Sequence, residues 1–270
     1  MPQPPVDVPL NLTTQAVLLY GSWGLTAVVL VLALRMGLAE RTHFYVLMVL
    51  AVLVGAFVEP LYDVAMMLYF YSTAGMVTHF TAFGIPQPLW THSGYVVLYA
   101  STAIYIARSA WRGTLTRGRL YAFAGAEVAM SCVFEIVGIK GGAYAYWGPH
   151  VFRILDYPVV IAVLEAAQVV VFAVAAAALR ARSTRPAAAL GLFVLFPCTF
   201  LGANFGAGWP TIIAIHLEAP STAVTMVASV LSIALAALVV RGAAAVVPLC
   251  AGRPGSPAGS AEMAPAGGSR

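Results

Sequence analysis

Charge is scarce in this chain. Lys and Arg number 14 and Asp and Glu 10 among 270 residues, 9% in all, where a soluble domain carries about 25%. With 61% hydrophobic residues and a mean hydropathy of +0.89, an ordinary soluble fold is excluded. Lysine is reduced to one residue, Lys140, expected in a loop and far from the last apolar run; a rhodopsin-like photoreceptor, which needs a lysine in its seventh helix, is excluded too. Cysteine is limited to Cys132, Cys198 and Cys250, without ligand spacing, and these read as buried thiols. The N-terminus has no basic region followed by a small-residue cleavage site, so no cleavable signal peptide is expected. No HxxxH or HxxE spacing, nucleotide loop, flavin fingerprint or haem motif is present. Cofactor-free chemistry without a metal is therefore expected.

Long apolar runs fill the space that charge vacates. A bilayer crossing needs roughly 17–25 residues, and such runs fall at 15–35, 44–71, 90–108, 119–139, 157–180, 187–207 and 221–241. The fold expected is all-α: a polytopic membrane protein of about seven transmembrane helices. A short segment 1–14 leads into a single membrane domain, 15–250, followed by a Pro-, Gly- and Ser-rich tail, 251–270, that reads as disordered. The 44–71 run is long for one crossing, so its end is expected to tilt or protrude. The apolar segment 209–217 is too short to cross and reads as re-entrant, interfacial or a continuation of the sixth helix.

Arginine sets the orientation. Arg35 and Arg41, then Arg108, Arg112, Arg117 and Arg119, then Arg180, Arg182 and Arg185 occupy alternate connections, and Arg241, Arg253 and Arg270 follow the last run. The N-terminus and the 72–89 and 208–220 loops have no Lys or Arg, and 140–156 has only Lys140 and Arg153. Positive-inside bias puts the N-terminus outside and the C-terminus in the cytoplasm, as an odd helix count requires. Arginines spread over short loops read as topology signals that meet anionic lipid headgroups; no nucleic-acid partner is expected.

Against this background five intramembrane carboxylates stand out: Glu59, Asp63, Glu127, Glu135 and Glu165. Each costs roughly 2.5–3.5 kcal/mol to insert at bilayer depth, so such residues face a bundle interior or a watery cavity and mark function. Glu59 and Asp63 in VEPLYD are four apart and share a helical face, with Pro60 favouring a kink between them. Both are expected to look into one space. Two such groups cannot both ionise easily in a low dielectric, which leaves an acid beside a base. Glu135 is expected in the outer half with that pair, and Glu127 deeper. Glu165 shares a face with Gln168, also in the outer half, and Asn204 in GANFGAGWP supplies an amide among small residues that also suit close helix packing. Tyr144 and Tyr146 follow a glycine turn beneath Glu135, where phenols reach a carboxylate or serve as interfacial belt residues. His79, His92, His150 and His216 fall on the same outer side. Candidate catalytic residues are thus Glu59, Asp63 and Glu135, and candidate substrate-binding residues Tyr144, Tyr146, Glu165, Asn204 and Glu127.

The VEPLYD helix, the TAFGIPQPLW loop, the block FEIVGIKGGAYAYWGPHVFRILDYP and the late ANFGAGWP together resemble the AveC-like spirocyclase family of actinobacterial membrane proteins. The resemblance covers most of 55–212. It implies an integral protein of the cell membrane in a natural-product pathway, closing a dihydroxy-ketone polyketide into a spiroketal and in some members dehydrating it. The family-like positions are Glu59, Asp63, Glu135, Tyr144 and Tyr146. A weaker, architectural similarity is to membrane terpene cyclases of meroterpenoid and indole-terpenoid pathways, which implies protonation of an isoprenoid epoxide or olefin. In either case the implied partner is a hydrophobic small molecule. Aromatic faces such as Tyr62, Tyr69, Phe83, Tyr144, Tyr146 and Trp147 would stabilise developing positive charge. The non-enzymatic alternatives are a proton-coupled transporter, for which no inverted repeat is visible, and a binding protein.

Overall fold

The computed structural model describes residues 3–183 and 185–252. Asn11 starts the first helix, α1 (Leu12–Ala39), by accepting hydrogen bonds from the Thr13 and Thr14 amides at 3.0 and 3.3 Å. α2 (Phe44–Gly55), a 3-10 turn (Ala56–Val58) and α3 (Glu59–Met66) follow as one rod. The proline kink expected here takes the form of that 3-10 interruption, because Pro60 lacks the N–H needed to continue an α-helical ladder. The rod ends earlier than 71: Met67 adopts the left-handed conformation and the chain turns into strand β1 (Leu68–Phe70).

Strands qualify the all-α expectation. β1 pairs antiparallel with β4 (Tyr144–Tyr146), setting Leu68 opposite Tyr146 and Phe70 opposite Tyr144. β2 (Thr78–Ala82) and β3 (Ile85–Pro88) form a hairpin, and β5 (Arg153–Ile154) pairs with β6 (Tyr157–Pro158). These pieces of two to five residues satisfy backbone groups where the chain leaves a helix but stays packed.

α4 (Trp90–Tyr95), a π turn (Val96–Ala100) and α5 (Ser101–Trp111) make a second continuous rod, with Trp90 to Ala100 entirely buried. α6 (Arg117–Gly141) is capped by Thr116 and stopped by Gly142, whose φ of 78° suits glycine. α7 (Val159–Arg182) is the central helix, packed against α5, α6, α8 and α9. α8 (Leu192–Ile215) carries Pro197 and Pro210 inside it and absorbs most of the 209–217 segment as its continuation. α9 (Thr222–Val246) is capped by Ser221. The expected tail falls outside the described residues from 253 onward, with Arg253 and Arg270.

Among the described residues six helices are long and apolar enough to cross a membrane: Leu12–Ala39, Phe44–Met66, Arg117–Gly141, Val159–Arg182, Ala187–Ile215 and Thr222–Cys250. The Trp90–Trp111 rod is not among them, since Thr91, His92, Ser93, Ser101, Thr102 and Arg108 dilute its apolar residues. The outer surface is apolar, and the polar side chains of the membrane helices are gathered inside an otherwise apolar core. Val28, Val133, Val194 and Val227 are exposed, whereas Ser22, Thr26, Ser131, Thr211 and Ser232 are buried. Interior hydroxyls join helices: Ser22 and Ser93 lie 2.7 Å apart, Thr211 and Ser232 2.9 Å. That arrangement suits a chain solvated by lipid. The cysteines depart from expectation: Cys250 is buried, but Cys132 is only half-buried and Cys198 exposed on the apolar exterior.

One end of the bundle is fastened by Glu40. Its carboxylate accepts hydrogen bonds from Arg108 Nε (2.8 Å), Arg112 Nε (3.0 Å), Arg180 Nη1 (2.9 Å) and the Tyr45 hydroxyl (2.6 Å). Arg180 also lies over the Trp111 ring at 4.3 Å. Three arginines read from the sequence as lipid-facing topology signals are thus bonded to one acid. The strand ribbons lie at the opposite ends of these helices.

Candidate active site

Three of the five intramembrane carboxylates come together. Glu59 on α3, Glu135 on α6 and Glu165 on α7 line one cavity of about 40 Å³, walled by Tyr62, Tyr95, Tyr99, Tyr144, Tyr146 and Trp90. At roughly 10–15 Å³ per water, the cavity has room for a few water molecules.

Each acid is met differently. Glu59 accepts a short hydrogen bond from the Tyr95 hydroxyl. Glu165 is the most elaborately held: Tyr99 donates to Oε1 at 2.7 Å, and Ser131 and Tyr157 donate to Oε2, the latter at 3.3 Å. Glu135 has an oxygen, Oε2, with no hydrogen-bond partner, although Tyr144 and Tyr146 stand beside it. The Tyr144 hydroxyl is itself unpartnered. The β1–β4 pairing explains why two alternate tyrosines reach the chamber: residues two apart on a strand share a face, and both are buried.

The other candidates stand elsewhere. Asp63 does not line the cavity, contrary to the expectation that it shares the space of Glu59. A step of four residues rotates about 40° around a helix, and Gln87 Nε2, from β3, holds Asp63 Oδ2 at 2.6 Å. Asp63 therefore backs Glu59 from behind, with Oδ1 unpartnered. Asn204 is buried, but its amide nitrogen donates to the Phe200 carbonyl of its own helix at 3.0 Å and its side chain does not reach the cavity. Glu127 is fully buried, also outside the cavity, with neither oxygen partnered. Gln168 is likewise buried and unpartnered. Of the expected aromatic faces, Tyr62, Tyr144 and Tyr146 line the cavity, whereas Tyr69 and Trp147 do not and Phe83 is exposed at the tip of the β2–β3 hairpin.

The histidines are scattered among separate contacts. His150 Nε2 lies 2.9 Å from the Met66 carbonyl; burial pushes its pKa down to about 4, opposed by that carbonyl and aided by Arg153, so the ring is neutral near pH 7. His92 meets the Leu53 carbonyl at 2.7 Å and packs against His79, and His216 contacts the Ile212 carbonyl. Among the described residues no three His, Cys, Asp or Glu are grouped to hold a metal ion.

Tyr95 and Tyr99 were missed from sequence. They are four apart on an apolar run, the spacing that puts two phenols on one face, and their rings meet edge-on with centroids 4.8 Å apart. The π turn that contains Tyr99 is of the kind that recurs at functional sites. Tyr157 and Gln87 carried no signal, since only the ribbons bring them in.

The electrostatics are unusual for a cluster of acids. Among the described residues the ion pairs involve Glu40 or Asp156, and none reaches a chamber carboxylate. Three carboxylates around one small cavity with only phenols and a serine as donors cannot all carry charge at once. Such a cluster is able to hold protons that exchange between its acids, and its aromatic walls are of the kind that favour a cation. Searches of family models, curated proteins and solved structures return no match for the chain.

Proposed function

We propose that this chain is an integral-membrane, cofactor-independent cyclase that acts on a hydrophobic, oxygen-bearing small molecule by proton transfer. The observation that carries the reading is the convergence of Glu59, Glu135 and Glu165 on one cavity without a cation bonded to them among the described residues. In this reading Trp90–Trp111 is a seventh crossing, sheltered from lipid by the other six. The Glu40 end faces the cytoplasm, and the chamber opens toward the outer leaflet of the cell membrane.

For a dihydroxy-ketone polyketide, a protonated chamber acid gives its proton to the ketone oxygen while a carboxylate takes one from the attacking hydroxyl, forming a hemiketal. Protonation of the new hydroxyl releases water and leaves an oxocarbenium ion beside the tyrosine faces. The second hydroxyl then closes the spiroketal and returns a proton to a carboxylate. Glu135, with its unpartnered oxygen, is the acid best placed to meet substrate, and Glu59 is its counterpart across the cavity. Asp63 acts through Glu59 as a positioning residue. The same acids would protonate an epoxide or olefin of an isoprenoid, the alternative substrate class.

One observation favours a second reading. A cavity of about 40 Å³ is far below the roughly 300 Å³ of a small-molecule site. The cyclase reading therefore needs the ribbons at the chamber's rim to part for substrate, whereas a proton pathway needs no such opening. Gene deletion and complementation in the source organism, followed by mass analysis of hydrophobic extracts, separates the two. The cyclase reading expects the deletion and the Glu135→Gln strain to accumulate an uncyclised precursor, heavier than the product by one water for a spiroketal and isomeric for a terpenoid. Unchanged extracts, with proton flux in liposomes that Glu135→Gln abolishes, would replace it with the proton pathway.

A further inference from the structure

Glu127 has no part in the chamber, yet it is fully buried and neither of its oxygens meets a donor. Thr102 of the neighbouring rod is within reach of it as a weak hydrogen-bond partner at most. A neutral Gln or a leucine would fill this place at lower cost, since a buried unsatisfied acid at bilayer depth is among the least favourable residues a helix can carry. The buried face of α6 indicates its use. That face consists of Leu120, Glu127, Ser131, Glu135 and Gly138. Glu127, Ser131 and Glu135 succeed one another at one-turn intervals of about 6 Å, so the acid lies about 12 Å deeper than Glu135 on the same stripe.

Ser131, the middle member, already donates its hydroxyl to Glu165 Oε2 in the chamber wall. A serine oxygen has one proton to give and two lone pairs to accept with. The Tyr157 hydroxyl, 2.8 Å away, occupies at most one of those lone pairs. The other is left for a donor on the side of Glu127, one helical turn away on the same buried face.

We infer that Glu127 is an internal proton reservoir that reloads the chamber through Ser131. Glu127 gives its proton to Ser131 Oγ while the Ser131 hydroxyl proton passes to Glu165 Oε2. The serine ends unchanged, and the negative charge moves from Glu165 to Glu127. The inference rests on reading the chamber as a site of proton exchange. It lets protons be redistributed among the chamber acids between steps, while the cavity is closed over an apolar substrate, without admitting bulk water.

The test is infrared spectroscopy of purified protein in lipid nanodiscs exchanged from H₂O into D₂O. A protonated-carboxyl band should vanish in Glu127→Gln and shift in Glu127→Asp, which identifies it. Its deuteration should slow by about tenfold or more in Ser131→Ala and recover in Ser131→Thr, which keeps the hydroxyl. A recovery that follows the hydroxyl is not what a purely structural serine would produce. If Glu127→Gln removes no band, or deuteration is as fast in Ser131→Ala as in wild type, the reservoir is overturned. The measurement uses no substrate. A negative result here beside altered extracts in the Glu135→Gln strain sinks the reservoir alone, and the converse sinks the cyclase alone.

Discussion

The two ends of this bundle handle carboxylates in opposite ways. At one end Glu40 is held by three arginines and a phenol, with only 2% of its side chain exposed. At the other, Glu59, Glu135 and Glu165 share a cavity walled by tyrosines, with Ser131 bonded to Glu165, and among the described residues none of the three meets a cation. An acid surrounded by guanidinium groups is fixed as an anion, and its work is to join helices. Acids surrounded by neutral hydroxyls can pass protons among themselves. In the function proposed above, the difference separates a fastening from a reactive site more sharply than burial does, because both sets of side chains are buried.

Removing the chamber's proton chemistry should have the largest effect on function. Glu135→Gln keeps the shape and loses the exchangeable proton, so conversion of precursor to product should fall by about 10²-fold or more with the melting temperature unchanged. Glu59→Gln should behave similarly. Asp63→Asn should cost less, because Asp63 reaches the cavity only through Glu59. An Asp63 variant as inactive as the Glu135 variant would contradict that ranking.

Breaking the fastening should have the largest effect on stability. Glu40→Gln leaves Arg180, whose side chain is 12% exposed, without its counter-charge, and such a loss at a buried pair costs about 3–5 kcal/mol. Arg112, half exposed, should contribute little of this. The check is thermal denaturation in detergent, where Arg112→Ala should lower the midpoint far less than Glu40→Gln.

Acid should find the same weak point. Burial opposes ionisation of Glu40, but hydrogen bonds from Tyr45, Arg108 and Arg180, with the charge of Arg180, outweigh it and hold its pKa below the ordinary 4.5. A depressed carboxyl contributes stability that is complete above its unfolded pKa and lost as pH falls through the folded value. The melting temperature should therefore hold from neutrality to about pH 5 and decline below it. In Glu40→Gln this component of the decline should be missing.

The smallest effects belong to the surface. Lys140 and Asp156 form an exposed ion pair at 2.5 Å, and Lys140→Ala should change neither activity nor melting measurably. Cys132→Ala should be equally silent. A marked loss in either would mean that the rim is part of the mechanism.

What the sequence made legible follows from the length scale of each signal. Helical rods came from runs of twenty or so apolar residues, and Glu59, Glu135 and Glu165 stood out because acids are rare in such runs. The ribbons did not, since β1 is three residues of ordinary apolar sequence and is a strand only because Tyr144–Tyr146 lies beside it. Asp63 was placed on the right helix beside Glu59 but expected to face the cavity; its second partner, Gln87, lies 24 residues away on a hairpin that periodicity does not reveal. Glu40 was overlooked at the edge of a run, where its arginines read as orientation signals. Tyr95 and Tyr99 were hidden by their fit to an apolar helix. Partners distant in sequence decide which acids are fixed and which exchange protons, and one-dimensional patterns do not carry that information.

The central claim is that reactivity and stability reside at opposite ends of the same bundle. The most direct measurement pairs thermal melting of Glu40→Gln and Glu135→Gln with product formation in strains complemented by each. The account predicts a crossed result: Glu135→Gln melts like wild type and makes no product, while Glu40→Gln melts early and still converts precursor in proportion to the folded protein that remains. Parallel losses in both variants, or a Glu135→Gln protein that remains fully active, would contradict it.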